Sequence, residues 1–176
     1  MNENTKLSYF RYILFRLKEW MMERCGNTKE LTKLRLQKLL FLICAIHATE
    51  KNHQLLSIFN KFYALPYGPV EMDIYEAMNK NTIDGVFFEG KDCIKCDISI
   101  KQFETLDQNI IKLIDESIEA LRNKDENYIL KNAFDLVEIT HKWAAWEIAM
   151  SLAKMFNSKS EPMTTEDIYE SSMKAY

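Results

Sequence analysis

The sequence predicts a mainly α protein of the α+β kind: a single-domain helical bundle with a small β-hairpin or short antiparallel sheet. Three observations lead there. Apolar residues recur at helical spacing through most of the 176 residues. Glycine and proline number only four and three, too few for the turns of an all-β fold. Alternation with period 2 is confined to residues 93–100. The length suits one domain over 1–176, with its core at about 9–156. Hydrophobic residues at 47% and charged residues at 28% can fill and solvate such a core.

Phe10, Ile13, Leu14, Leu17, Trp20 and Met21 share a helical face, so residues 9–22 form an amphipathic helix that Gly26 can stop. A second helix covers 33–48 with Thr32 as N-cap. Phe41, Leu42 and Cys44 widen its stripe until it is apolar nearly all round, which marks a central, buried helix. Residues 55–65 are large and apolar without clean periodicity. Tyr67-Gly68-Pro69 breaks the chain, and a helix follows over about 70–78 with Pro69 in its first turn.

Residues 86–88 and 93–100 read as a hairpin closed by Gly90-Lys91-Asp92, with Ile94, Cys96, Ile98 and Ile100 on its apolar face. A helix at about 106–123 opens on a Thr105/Gln108 capping box. Helices at about 126–139 and 142–156 come next. Residues 157–163 read as a loop, and Thr164 with Asp167 opens a short helix at about 164–174.

The apolar run through residues 39–45 is far short of the roughly 20 residues a membrane span needs. No secretory leader is visible, so a cytoplasmic location and no membrane partner are expected. Net charge is −3, but unevenly spread. Residues 1–61 carry 11 Lys/Arg against 5 Asp/Glu, a net of +6, and residues 62–176 carry 12 against 21, a net of −9. Such polarity could steer a charged partner, or reflect two solvated faces.

Catalytic patterns are missing. No His-x-x-x-His, Ser-His-Asp, Gly-x-Ser-x-Gly or phosphate-cradling glycine loop occurs, so an enzyme is not expected. Cys93-x-x-Cys96 lacks a second ligand pair, and residues three apart on a regular strand face opposite ways. The four cysteines are expected as free thiols, with neither metal nor cofactor. Cys44, inside the most apolar helix, reads as inert packing.

Three places invite a binding role. Gln37 and Lys38 precede the all-apolar part of the second helix, where Lys38 must either snorkel to water or meet a carboxylate. Tyr67-Gly68-Pro69 makes the sharpest turn in the chain. His141, Trp143 and Trp146 follow Thr140. A capping Thr140 would put His141 in a first turn and both tryptophans on one face, as core residues or as interface anchors.

Three blocks in order resemble one family. They are Leu34-Arg35-Leu36-Gln37-Lys38-Leu39-Leu40-Phe41, then Ala64-Leu65-Pro66-Tyr67-Gly68-Pro69-Val70 with Ile74-Tyr75, then Thr140-His141 with Trp146. Together they resemble the Panacea domain, the SocA-like antitoxin domain often seen in phage-associated proteins, over about residue 10 to the C-terminus. That family usually has tryptophan where Leu65 stands and proline where Ala145 stands. The resemblance implies an antitoxin of a toxin–antitoxin system that neutralises a cognate protein toxin by direct binding, with DNA or a protease as a secondary partner. Two contact regions are expected to hold the partner: the turn at Tyr67, Gly68 and Pro69 with Gln37 and Lys38 near it, and the segment with His141, Trp143 and Trp146. The competing reading is a nucleic-acid-binding regulator that uses the basic first 61 residues.

Overall fold

A computed structural model describes residues 3–27 and 31–172. The fold is mainly α with a small β part. In order come α1 (Glu3–Cys25), α2 (Lys33–Ala45), α3 (Gln54–Ile58), β1 (Phe62–Leu65), β2 (Gly68–Glu71), α4 (Met72–Lys80), β3 (Val86–Glu89) and β4 (Asp92–Cys96). Then follow α5 (Gln108–Lys124), α6 (Ala133–Thr140), α7 (Ala144–Met155), β5 (Glu161–Pro162) and α8 (Thr165–Ser172). No helix among the described residues is long and apolar enough to cross a membrane.

The central helix is α2. Thr32 caps it by accepting from the Arg35 N–H, and every side chain from Arg35 to Ala45 is buried. α5 packs against it with Ile114, Ile118 and Leu121, and α1, packed on α5 and α4, adds Phe10, Ile13, Leu14, Leu17 and Met21 to the same core. α1 ends as expected: Gly26 takes φ +72° and donates to the Met22 carbonyl. α2 stops at Ala45, three residues early.

The irregular stretch at 55–65 resolves into the short α3 and then β1. β1 is the middle strand of an antiparallel sheet in the order β2-β1-β5. Its register with β2 pairs Leu65 with Gly68 and Tyr63 with Val70. β5 lies in the expected loop 157–163, too short a strand to leave a periodic trace. Pro69 therefore sits in a strand and not in the first turn of the next helix. α4 begins only at Met72, capped by the Glu71 carboxylate, which accepts from Ile74 N at 2.9 Å.

Other starts shift for similar reasons. Asp107 caps α5 through Asn109 N, and the capping box lies upstream at Ser99/Gln102, opening a 3-10 turn over Ile100–Phe103. A 3-10 turn at Tyr128–Leu130 precedes α6, whose cap is Asn132. The Thr164/Asp167 capping box forms, with Asp167 N donating to Thr164 Oγ1 at 3.1 Å.

The uneven charge is largely spent inside the molecule. Lys6 pairs with Glu71 and Asp73, each at 2.6 Å, Arg11 with Asp84, Arg16 with Asp115, Arg24 with Glu126 and Lys61 with Asp73. Arg35 is buried and donates to the Ile129 carbonyl. The basic N-terminal third and the acidic remainder thus meet as folding partners.

Candidate partner-binding site

The three sequence blocks converge on the β1–β2 turn. β2 is an edge strand: β1 satisfies one side, and the other faces α2. Unpaired backbone groups buried there would be costly. Two consecutive α2 side chains supply the missing partners. Gln37 acts like a strand of one residue: its Oε1 accepts from Glu71 N at 2.8 Å and its Nε2 donates to Glu71 O at 3.3 Å. Lys38 Nζ donates to the Pro69 carbonyl at 2.6 Å. Pro69 suits this edge, since it has no N–H to satisfy.

Lys38 neither snorkels nor meets a carboxylate. It is 0% exposed, and burial pushes its pKa down to about 7. The position before Pro69 is equally constrained. Gly68 takes φ +87°, and a Cβ there would lie 2.6 Å from Thr140 Oγ1 and 3.1 Å from Lys38 Nζ. Only glycine fits both the backbone and the space.

The third block closes over the turn. Thr140 is the last residue of α6, and its hydroxyl donates back to the Val137 carbonyl at 2.9 Å. It does not cap the next helix, and His141 is the C-cap of α6, not a first-turn residue of α7. The tryptophans part company as well. Trp143 precedes α7, is buried, and packs edge-on against Phe41 with ring centroids 5.4 Å apart. Trp146 is half-buried and donates from Nε1 to the Leu65 carbonyl at 2.9 Å.

His141 stacks on Trp146, with ring centroids 3.6 Å apart and planes 11° apart. Burial, and then the Lys38 charge, hold its pKa below the usual value, outweighing Glu138 and the Pro66 backbone. At neutral pH the ring is therefore uncharged and stacks as an aromatic.

Tyr67 is the exception. It stands 63% exposed at the tip of this turn. Of the eight anticipated residues, Gln37, Lys38, Gly68, Pro69 and Trp143 are buried, His141 and Trp146 are half-buried, and Tyr67 alone is fully displayed. Glu71 was not anticipated. It is 0% exposed and joins the Gln37 clamp, the α4 cap and the Lys6 ion pair. An acidic residue directly before a helix was its one sequence signal.

The outer face of α7 was missed too. Ile148, Leu152, Met155 and Phe156 are exposed, at i, i+4, i+7 and i+8, while Ala145, Ala149 and Ala153 face inward. The helix is apolar on two sides, so periodicity could not say which one the core takes. At Ala145, where the resembling family has proline, the N–H donates to Ser171 Oγ of α8 at 3.1 Å, a bond proline could not make.

No group of three or more potential metal ligands occurs among the described residues. A cavity of about 470 Å³ lies elsewhere, lined in part by His47, His53 and Glu116.

No curated protein and no solved structure matches the chain. A family model does: the antitoxin SocA-like, Panacea domain, over residues 36–147. Those residues begin within the Gln37/Lys38 block and end just past Trp146, so they enclose the whole cluster around the turn. By that match the chain belongs to the SocA-like antitoxin family of Panacea domains.

Proposed function

We propose that the chain is a proteinaceous antitoxin that neutralises a cognate toxin by direct binding, as a binding module and not as an enzyme. The observation that carries this reading is Tyr67. It is displayed on a turn whose backbone is pinned by Lys38, Gly68 and Trp146. An aromatic anchor on a rigid support loses little conformational entropy on binding, and aromatic residues dominate interface energetics.

Trp146 roots the turn on α7, whose exposed stripe of Ile148, Leu152, Met155 and Phe156 extends along the same helix. We assign toxin contact to Tyr67 and this stripe, with His141 and Trp146 at the rim. Gln37, Lys38, Gly68, Pro69 and Trp143 position the surface from beneath. The basic N-terminal third supports the nucleic-acid reading poorly, because Lys6, Arg11, Arg16, Arg24 and Lys61 pair with carboxylates and Arg35 and Lys38 are buried.

The family resemblance implies a toxin encoded beside its antitoxin, so co-expression with the product of the adjacent gene tests the proposal. The expected result is rescue of growth together with co-purification of the two chains. Absence of both rescue and a complex would overturn it.

A further inference from the structure

Cys93 and Cys96 belong to none of this. On a regular strand their thiols would diverge, but the hairpin is irregular. Its register passes from Phe87 opposite Lys95 to Phe88 opposite Cys93, which makes Ile94 the extra residue of a β-bulge. Ile94 is turned outward, 57% exposed. With that residue removed from the alternation, Cys93 and Cys96 return to one face, the face of the buried Val86 and Phe88. The expected divergence is overturned: the two thiols share a face and interact, while Cys93 Sγ also lies 3.5 Å from the Lys95 carbonyl. Both are free thiols and only half-buried, so small molecules can reach them.

The pair is asymmetric. The hydrogen bond between the thiols lowers the pKa of Cys96 and raises that of Cys93. The charges of Lys18 and Arg11 lower Cys96 further, against burial and Asp97. Lys18 is held in place, with Nζ donating to the Cys96 carbonyl at 2.6 Å. One sulfur is thus prepared as the attacking thiolate and its neighbour as the resolving thiol. Cys44 is not a competitor, since it is fully buried and its pKa is well above the usual value.

We propose that Cys93 and Cys96 form a reversible dithiol–disulfide site that reacts with low-molecular-weight disulfides of the glutathione kind. The Cys96 thiolate attacks one sulfur of the small disulfide. The S–S bond breaks, and one small thiolate leaves with the electron pair and takes up a proton. Cys93 then gives its proton to solvent and attacks the Cys96 sulfur, expelling the second small thiolate. The two protein thiols are oxidised by two electrons, and one small disulfide is reduced to two small thiols.

The full chain, incubated in mixtures of oxidised and reduced glutathione, quenched in acid, alkylated and mapped by peptide mass, decides the matter. The peptide carrying both cysteines should lose two hydrogens and resist alkylation, while the exposed Cys25 stops at the mixed disulfide. Cys93→Ser should hold glutathione on Cys96, and Cys96→Ser should leave Cys93 largely unmodified at the same ratio. Full alkylation of both thiols at ratios that modify Cys25 overturns the proposal, as does a preference for Cys93 as the attacked position. The wild-type map stands even if a serine variant folds poorly.

Discussion

Single residues around the β1–β2 turn carry unusual constraints. Gly68→Ala would force a left-handed backbone on alanine and drive its Cβ onto Thr140 Oγ1. The expected loss is about 2–4 kcal/mol by thermal or denaturant unfolding, combining the left-handed cost with overpacking. Lys38 gives a pH signature. Its pKa is about 7 in the fold and 10.5 as the ordinary value. Between these values the unfolded chain binds the extra proton, so stability rises with pH across that window. Below pH 7 both states are protonated and the full cost of burying the charge remains. Subtracting the unfolding profile of Lys38→Met from that of the wild type should leave a rise of at most ~4 kcal/mol between pH 7 and pH 10. A flat difference would mean that Lys38 keeps an ordinary pKa.

Elements explain why these residues sit where they do. β2 has a buried edge, and α2 satisfies it with Gln37 and Lys38 rather than with another strand. Gln37→Leu strips two backbone groups of Glu71 of their partners and should cost about 2–4 kcal/mol, measured by denaturant unfolding. Long helices were legible in the sequence because periodicity over many residues averages out exceptions. α1, α2 and α5 were found, α1 and α2 with their buried residues named, though α1 starts earlier than expected, α2 ends early and the cap of α5 is displaced. β2 was not, because four residues containing Gly68 and Pro69 resemble a corner more than a strand. Nor was the bulge at Ile94, since one extra residue reverses the facing of every thiol argument without altering composition. The candidate site was half legible. Gln37 and Lys38 with the Tyr67 turn, and His141 to Trp146, read as two contact regions, and the fold brings the two together. Their burial was hidden, because a polar side chain that satisfies a strand edge looks in sequence like one that awaits a partner.

The whole molecule joins a basic N-terminal third to an acidic remainder through cross-chain ion pairs, and the most buried of these is Lys6 with Glu71. Lys6→Met leaves Glu71 charged and short of its cation in the interior. The expected loss is about 3–5 kcal/mol, read as the drop in unfolding free energy. The aromatic turn and the α7 stripe are the surface to which we assign the partner. The most direct measurement is calorimetric titration of the adjacent-gene toxin into wild-type protein, Tyr67→Ala and Ile148→Asp. The account predicts unfolding midpoints close to wild type for both variants, with affinity weakened roughly tenfold or more in each, about 1.4 kcal/mol. Wild-type affinity in both folded variants would contradict it.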